Sequence, residues 1–188
     1  MKLQWKPGTM IYPLPAVLVS CGTAERSNLI TVGWTGTVCT DPAMCYISVR
    51  PERYSYDIIK ERMEFTINLT TEAIAKATDW CGVRSGRDYD KWAATGLTPE
   101  PGVTVGCPSV REAPVSIECR VRDIISLGSH DMFLAEVLAV LADGELLDPE
   151  SGALRLDRAG LISYSHGQYF AQGAPLGRFG WSVKKKKK

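Results

Sequence analysis

Cysteine and histidine occur in this chain without any spacing that would put them on a metal. The six cysteines, Cys21, Cys39, Cys45, Cys81, Cys107 and Cys119, form no CxxC pair, and His130 and His166 are isolated. Structural zinc and iron–sulfur chemistry are therefore excluded, and no metal is expected. No apolar run approaches the roughly 20 residues that cross a bilayer, so no membrane segment is expected. The first stretch, MKLQWKPGTMIYPLPAVLVS, lacks a continuous apolar region and is broken by prolines, which argues against a secretory signal. Unpaired thiols and no sign of export point to a reducing, cytoplasmic location. Strong charge of either sign is also missing. The formal net charge is +1, and removing the five lysines Lys184 to Lys188 leaves −4. Neither value draws the chain to nucleic acid or to an anionic membrane. The lysine run reads as a frayed, solvated terminus, with an anion-docking tail as the alternative. There is no GxGxxG and no βαβ alternation, so no Rossmann dinucleotide site is expected. No convincing Ser–His–Asp set is present either.

The 188 residues, 45% hydrophobic and 23% charged, suit one globular domain spanning residues 1–188. Many short β-like runs are present. They cover residues 16–21 (AVLVSC), 29–39 (LITVGWTGTVC), 43–50 (AMCYISVR), 64–69 (EFTINL), 114–126 and 132–142, with a last one at 161–170. The run at 132–142 also fits a helical period, and its place in a meander favours strand. Gly33 and Gly36 inside one run predict a bulge or a ligand close to the backbone. Asp41-Pro42 predicts a turn. Short helices are predicted at 54–62, with Ser55 as N-cap, and at 71–80, capped by Thr70 or Thr71. A helical turn at 90–95 should end at Gly96. Many strands and only two real helices argue for a mainly β barrel or sandwich.

The most informative stretch runs from Asn28 to Asn68. Two β-like runs lead into Arg50, Pro51, Arg53, Tyr54 and Ser55, and then into a helix. A basic, hydroxyl-bearing turn that opens a helix suits a phosphate-bearing ligand, because helix N-termini and arginines attract phosphate dianions. The bland alternative is that Arg50 and Arg53 pair with Glu52, Asp57 or Glu61 at the surface.

The segment GWTGTVCTDPAMCYISVRPERYSYDII resembles the flavin-binding half of the flavin reductase-like, FMN-binding split-barrel family. ATDWCGVRSGRDYDKW, LGSHDMFLAEV and LISYSHGQYFAQG resemble the flavoredoxin branch in the same order, so the likeness runs from about Pro15 to Val183. It implies a Greek-key split β-barrel, a homodimer, and FMN in a groove near the subunit interface. It further implies an oxidoreductase moving electrons from NAD(P)H to free flavin, ferric iron or a redox partner protein. A flavoredoxin-type protein-to-protein carrier is one alternative, and a flavin-sensing module is another.

Carried onto this chain, the family pattern makes Arg50, Arg53, Ser55 and Lys91 candidates for the phosphate. Thr31, Gly33, Trp34, Thr35 and Gly36 become candidates for the isoalloxazine, where backbone donors would favour the reduced ring. Ser48 and Val49 would flank the ribityl chain. The resemblance places Asp79 to Ser85 at the cofactor, with Cys81 and Gly82 near the ring and Ser85 a polar contact. Trp34 and Cys81 read equally as core packing. His130 is the candidate catalytic residue, facing the side where a nicotinamide would stack. Its plain alternative is a turn histidine bonded to Asp131. His166 is a candidate for an outer or interface role, and Tyr164 and Tyr169 are expected to border the groove from a partner subunit. The hydride step needs little acid–base help from the protein, because the cofactor carries it.

Overall fold

The computed structural model describes residues 1–183, and the lysine run at 184–188, expected to be frayed, lies outside the described residues. Among the described residues, twelve strands and three short α-helices follow in chain order. They are β1 (Leu14–Pro15), β2 (Val17–Gly22), β3 (Ser27–Val32), β4 (Thr35–Thr40), β5 (Ala43–Val49), α1 (Tyr54–Arg62), β6 (Glu64–Leu69), α2 (Ala75–Val83), α3 (Lys91–Thr95), β7 (Pro99–Glu100), β8 (Ser109–Val110), β9 (Val115–Ser126), β10 (Asp131–Ala142), β11 (Ile162–Ser165) and β12 (Gln168–Ala171).

Seven strands form one antiparallel sheet in the order β3-β2-β6-β9-β10-β5-β4. Its two edge strands, β3 and β4, are consecutive in the chain and joined only by Gly33 and Trp34. That link reaches about 10 Å at full stretch. The sheet must therefore curl until its edges meet, which makes it a barrel. The edges meet without pairing, so the barrel keeps an open seam beside β3. The predicted mainly β split barrel is the observed fold.

Alternation along β5 puts Cys45, Ile47 and Val49 into the barrel, where Val19, Phe65 and Phe133 meet them. Helix α1 adds Tyr56 and Ile59 to this core. β2 is buried on both faces, because its outer side lies under a second apolar cluster containing Leu18, Leu29, Ile74 and Cys81. This explains why its sequence shows no polar alternation.

Three boundaries differ from expectation. The run at 29–39 is two strands, because the chain crosses the seam at Gly33 and Trp34. The run at 161–170 is the β11–β12 hairpin, turning at His166 and Gly167, and β1 adds to it as a third strand. The helix expected at 71–80 is a 3-10 turn at Glu72–Ile74 followed by α2, which continues through Cys81 to Val83. Neither threonine caps it. Thr71 makes no capping bond, and the Thr70 hydroxyl donates to the Ala16 carbonyl. Ser55 is not a cap either. Arg53 holds the cap position of α1 without a side-chain bond, and Ser55 is buried in the first turn. Gly96 does end α3, in the left-handed conformation that glycine adopts without steric cost.

Candidate functional site: an anion pocket joined to an aromatic slot

Two cavities lie along the seam and share Ile30, Arg50 and Arg53. The first, of about 540 Å³, is lined by the start of α1, the end of α2 and the loop after it. The second, of about 460 Å³, runs between β3, the Gly33–Trp34 crossing, the end of β5 and the β11–β12 hairpin. Both volumes are in the range of small-molecule sites.

The first cavity is strongly basic. Arg50, Arg53, Arg84, Arg87 and Lys91 line it, against a single acid, Glu52. Lys91 carries the argument. It is 3% exposed, and among the described residues no carboxylate lies within ion-pair distance of it. Its Nζ donates 2.6 Å to the carbonyl of Cys81, at the negative end of α2. Burial pushes the ammonium below its ordinary pKa, and neighbouring Arg53 adds to that. The nearby thiols are no counterions, because burial pushes Cys21 and Cys81 up to about 11 and keeps them protonated. A buried cation without a countercharge is costly, and an anion in the cavity would offset that cost.

Local chemistry positions these groups. Asp90 caps α3 by accepting from the N–H groups of Trp92 and Ala93, which sets Lys91 at the first helical position. Asn28 donates its amide N–H to the Ser55 hydroxyl at 2.7 Å. The hydroxyl accepts there and also bonds the buried Cys21 thiol, so it is fixed in the wall of the cavity. The backbone N–H groups at the start of α1 add partial positive charge. The surface-pairing alternative for the arginines fails among the described residues. Neither Arg50 nor Arg53 makes a salt bridge, and Arg53 only reaches the Gly82 carbonyl at 3.4 Å.

The second cavity is more aromatic, with Tyr12, Trp34, Tyr164 and Tyr169 on its lining against Tyr54 alone in the first. Trp34 stands at its mouth, half-exposed, with the His130 ring centre 4.4 Å away and tilted 42°. The Ser48 N–H donates 2.9 Å to the Trp34 carbonyl, tying the crossing to β5. Thr31, Gly33, Ser48, Val49 and Gly82 also line it. Gly82 packs on Thr31, and the Thr31 hydroxyl donates to the Thr78 carbonyl. His130 is not bonded to Asp131. Its Nδ1 meets the Ser129 hydroxyl at 2.9 Å, while Asp131 accepts from Tyr56 at 2.5 Å and Ser126 at 2.7 Å. Partial burial, and then the Arg50 charge, push the His130 imidazole below its ordinary pKa.

Several expected positions are placed differently. Thr35 and Gly36 line neither cavity. The Thr35 hydroxyl donates to the Tyr46 carbonyl, and Gly36 lies against the Tyr46 ring, so both serve the β4–β5 hairpin. Cys81 lies on the anion side, fully buried, and not beside the slot. Ser85 lines the anion pocket and accepts from the Arg87 N–H. Tyr164 and Tyr169 border the slot from this chain itself, and the Tyr169 hydroxyl donates 3.2 Å to Asp79. His166 lines neither cavity and lies 5.0 Å from the Tyr12 ring. Arg84, Asp79 and Val83 line the site within the Asp79-to-Ser85 segment that the resemblance places there, whereas Asn28, Arg87 and Tyr12 line it without having been expected. Arg84 and Arg87 lie in the basic stretch VRSGR, which was a usable signal, whereas Asn28 and Tyr12 carry none. Among the described residues no group of three or more His, Cys, Asp or Glu is placed to hold a metal, and no helix is long and apolar enough to cross a membrane.

An open-seamed barrel whose seam joins a basic pocket to an aromatic-lined slot defines the class of this protein by its fold. The flavin reductase like domain matches residues 9–171, and the chain belongs to that flavin-binding family. Flavoredoxin of Desulfovibrio vulgaris (Miyazaki F) is 31% identical and superposes with a TM-score of 0.90 over 98% of this chain and 100% of its own. An FMN-binding protein from Thermus thermophilus, solved with bound 1-cyclohex-2-enone, is 26% identical with a TM-score of 0.77 over 93% of this chain and 100% of its own. An NADPH-flavin oxidoreductase of Streptomyces viridifaciens is 28% identical over 133 residues, which is 67% of this chain and 65% of that protein.

Proposed function

We propose that this protein is an FMN-dependent oxidoreductase that takes electrons from NAD(P)H and delivers them to free flavin, ferric iron or a protein partner. The single observation behind this reading is the buried, uncompensated Lys91 beside Arg50 and Arg53, opening onto the Trp34 slot. The donor set fits a phosphate monoester. Arg50, Arg53 and Lys91 supply charge, and Ser55 and Ser85 supply hydroxyls. Gly33, Trp34, Ser48, Val49 and Gly82 would hold the ring and ribityl chain. FMN, when bound, supplies hydride acceptance and one- or two-electron transfer. The chain's residues bind it, shield one face and keep a neutral imidazole, His130, beside the Trp34 edge. Homodimerisation belongs to the same proposal. It is supported by exposed apolar residues on both terminal arms, among them Leu3, Trp5, Ile11, Leu176, Phe179 and Trp181, which a second copy would cover.

The test is the absorbance spectrum of the purified protein reconstituted with FMN, without oxygen, before and after NADH and then NADPH. Rapid bleaching supports the nicotinamide-dependent reading. The second reading, a carrier fed by another protein, rests on the 31% identity to a flavoredoxin and predicts a flavin that stays oxidised with both donors. A protein that takes up no FMN overturns both.

A further inference from the structure

The loop after α2 ends the anion pocket as a strap. Arg87 crosses to the start of α1, where its Nη1 donates 2.9 Å to the Glu52 carbonyl and its guanidinium lies 5.6 Å from the centre of the Tyr54 ring. Beside it, the Gly86 backbone is pressed onto Asn28 and Tyr54. A Cβ there would meet Asn28 Oδ1 at 2.2 Å and Tyr54 Cδ1 at 2.5 Å, so only glycine lets the strap close this far. Behind the strap is another cavity of about 540 Å³, reaching the 24–28 turn and bordered by Tyr89 and Trp92. Asn28, Tyr54, Gly86, Arg87 and Lys91 line both spaces, so they form the partition between them.

We infer that the Gly86–Arg87 strap sets the length of the flavin this site accepts, admitting a mononucleotide and excluding a flavin that carries an adenylate on its phosphate. This rests on the FMN reading above. A monoester phosphate ends the ligand inside the basic pocket. An adenylate-extended flavin must continue past its phosphate, and the strap stands across that path. Behind the partition there is space with aromatic side chains, so loss of the strap would open a place for the added nucleotide. Specificity here comes from a barrier against the longer ligand more than from a better contact to the shorter one.

The experiment titrates apoprotein with FMN and with FAD, following flavin fluorescence, in the wild type, Arg87→Ala and Arg84→Ala. The wild type should prefer FMN by about tenfold or more, and Arg87→Ala should shrink that ratio several-fold, mostly by improving FAD. Arg84→Ala removes a cation from the same pocket and leaves the Arg87 contacts to Glu52 and Tyr54 in place, so it should weaken both ligands and keep their ratio. Equal binding of FMN and FAD by the wild type overturns the inference. So does an unchanged ratio in Arg87→Ala, or an equal change in Arg84→Ala, which would make charge the cause. Failure of the wild type to bind either flavin would instead overturn the FMN reading itself.

Discussion

The rings of Trp34 and His130 lie 4.4 Å apart at a 42° tilt, although one sits on the seam crossing and the other on the turn entering β10. Pairing of β10 with β5, which sets Asp131 opposite Val49, brings them together. Next to this contact, the Asp131 carboxylate is held by Tyr56 and Ser126, so the start of β10 is anchored to α1 and cannot drift from the slot.

The first prediction concerns that histidine. Burial and the Arg50 charge hold its imidazole below the ordinary pKa, so it is neutral at neutral pH. His130→Gln should slow anaerobic reduction of the flavin by NAD(P)H by up to about 100-fold through lost positioning, with FMN affinity little changed. Stopped-flow bleaching of the flavin absorbance reads the rate. An unaltered rate would remove His130 from the reaction.

Arg50 and Ser55 are predicted to hold the phosphate. The double replacement by alanine should weaken FMN binding by about 2–5 kcal/mol while riboflavin, which lacks the phosphate, is bound nearly as before. Fluorescence titration with both ligands separates the two effects, and full FMN retention would relocate the phosphate.

Lys91 gives a pH-dependent prediction with a definite sign. Its pKa in the folded apoprotein is below the unfolded value of 10.5, so the folded state loses the proton first as pH rises. Apoprotein stability should therefore climb as pH rises through the depressed Lys91 pKa toward 10.5, while FMN affinity falls over the same window as the ammonium is lost. Lys91→Met should flatten both trends and weaken FMN binding near neutral pH by about 2–3 kcal/mol. Denaturant melts and FMN titrations across that range are the check.

The Tyr56–Asp131 bond links α1 to β10, and it also has a signed pH response. The hydrogen bond from Tyr56 holds the Asp131 carboxyl below its ordinary range, and bonding to Asp131 pushes Tyr56 up to about 12. Its stabilisation is present through neutral pH. On the acid side it is lost as pH falls below the ordinary carboxylate value of 3.8 and through the depressed Asp131 pKa. On the alkaline side it is lost as pH rises from 10.0 through about 12. Tyr56→Phe should lower stability at pH 7, because the Asp131 carboxylate loses one of its two donors. Urea denaturation at pH 7 measures this, and a variant as stable as the wild type would show the bond to be dispensable.

Much of the architecture was legible in local sequence. β-branched alternation in AMCYISV, the Asp41-Pro42 turn and the helix at 54–62 each depend on a few neighbouring residues, and each appears where expected. The basic turn around Arg50 to Ser55 was likewise readable as an anion site, because charge and helix onset are local properties. Long-range placement was not. That residues 29–39 break into two strands follows from the sheet closing on itself, which depends on pairings such as Asp131 with Val49. Tertiary packing, of α3 on α2 and β3 and of the β11–β12 hairpin on the seam, buries Lys91 beneath the Cys81 carbonyl and assigns Tyr164 and Tyr169 to this chain's own slot. It also lays the Gly86–Arg87 strap on α1. The chain by itself determined which segments are strands and where positive charge gathers. Tertiary structure decided which of those charges are buried without a partner, since burial is a property of packed elements and of no single segment.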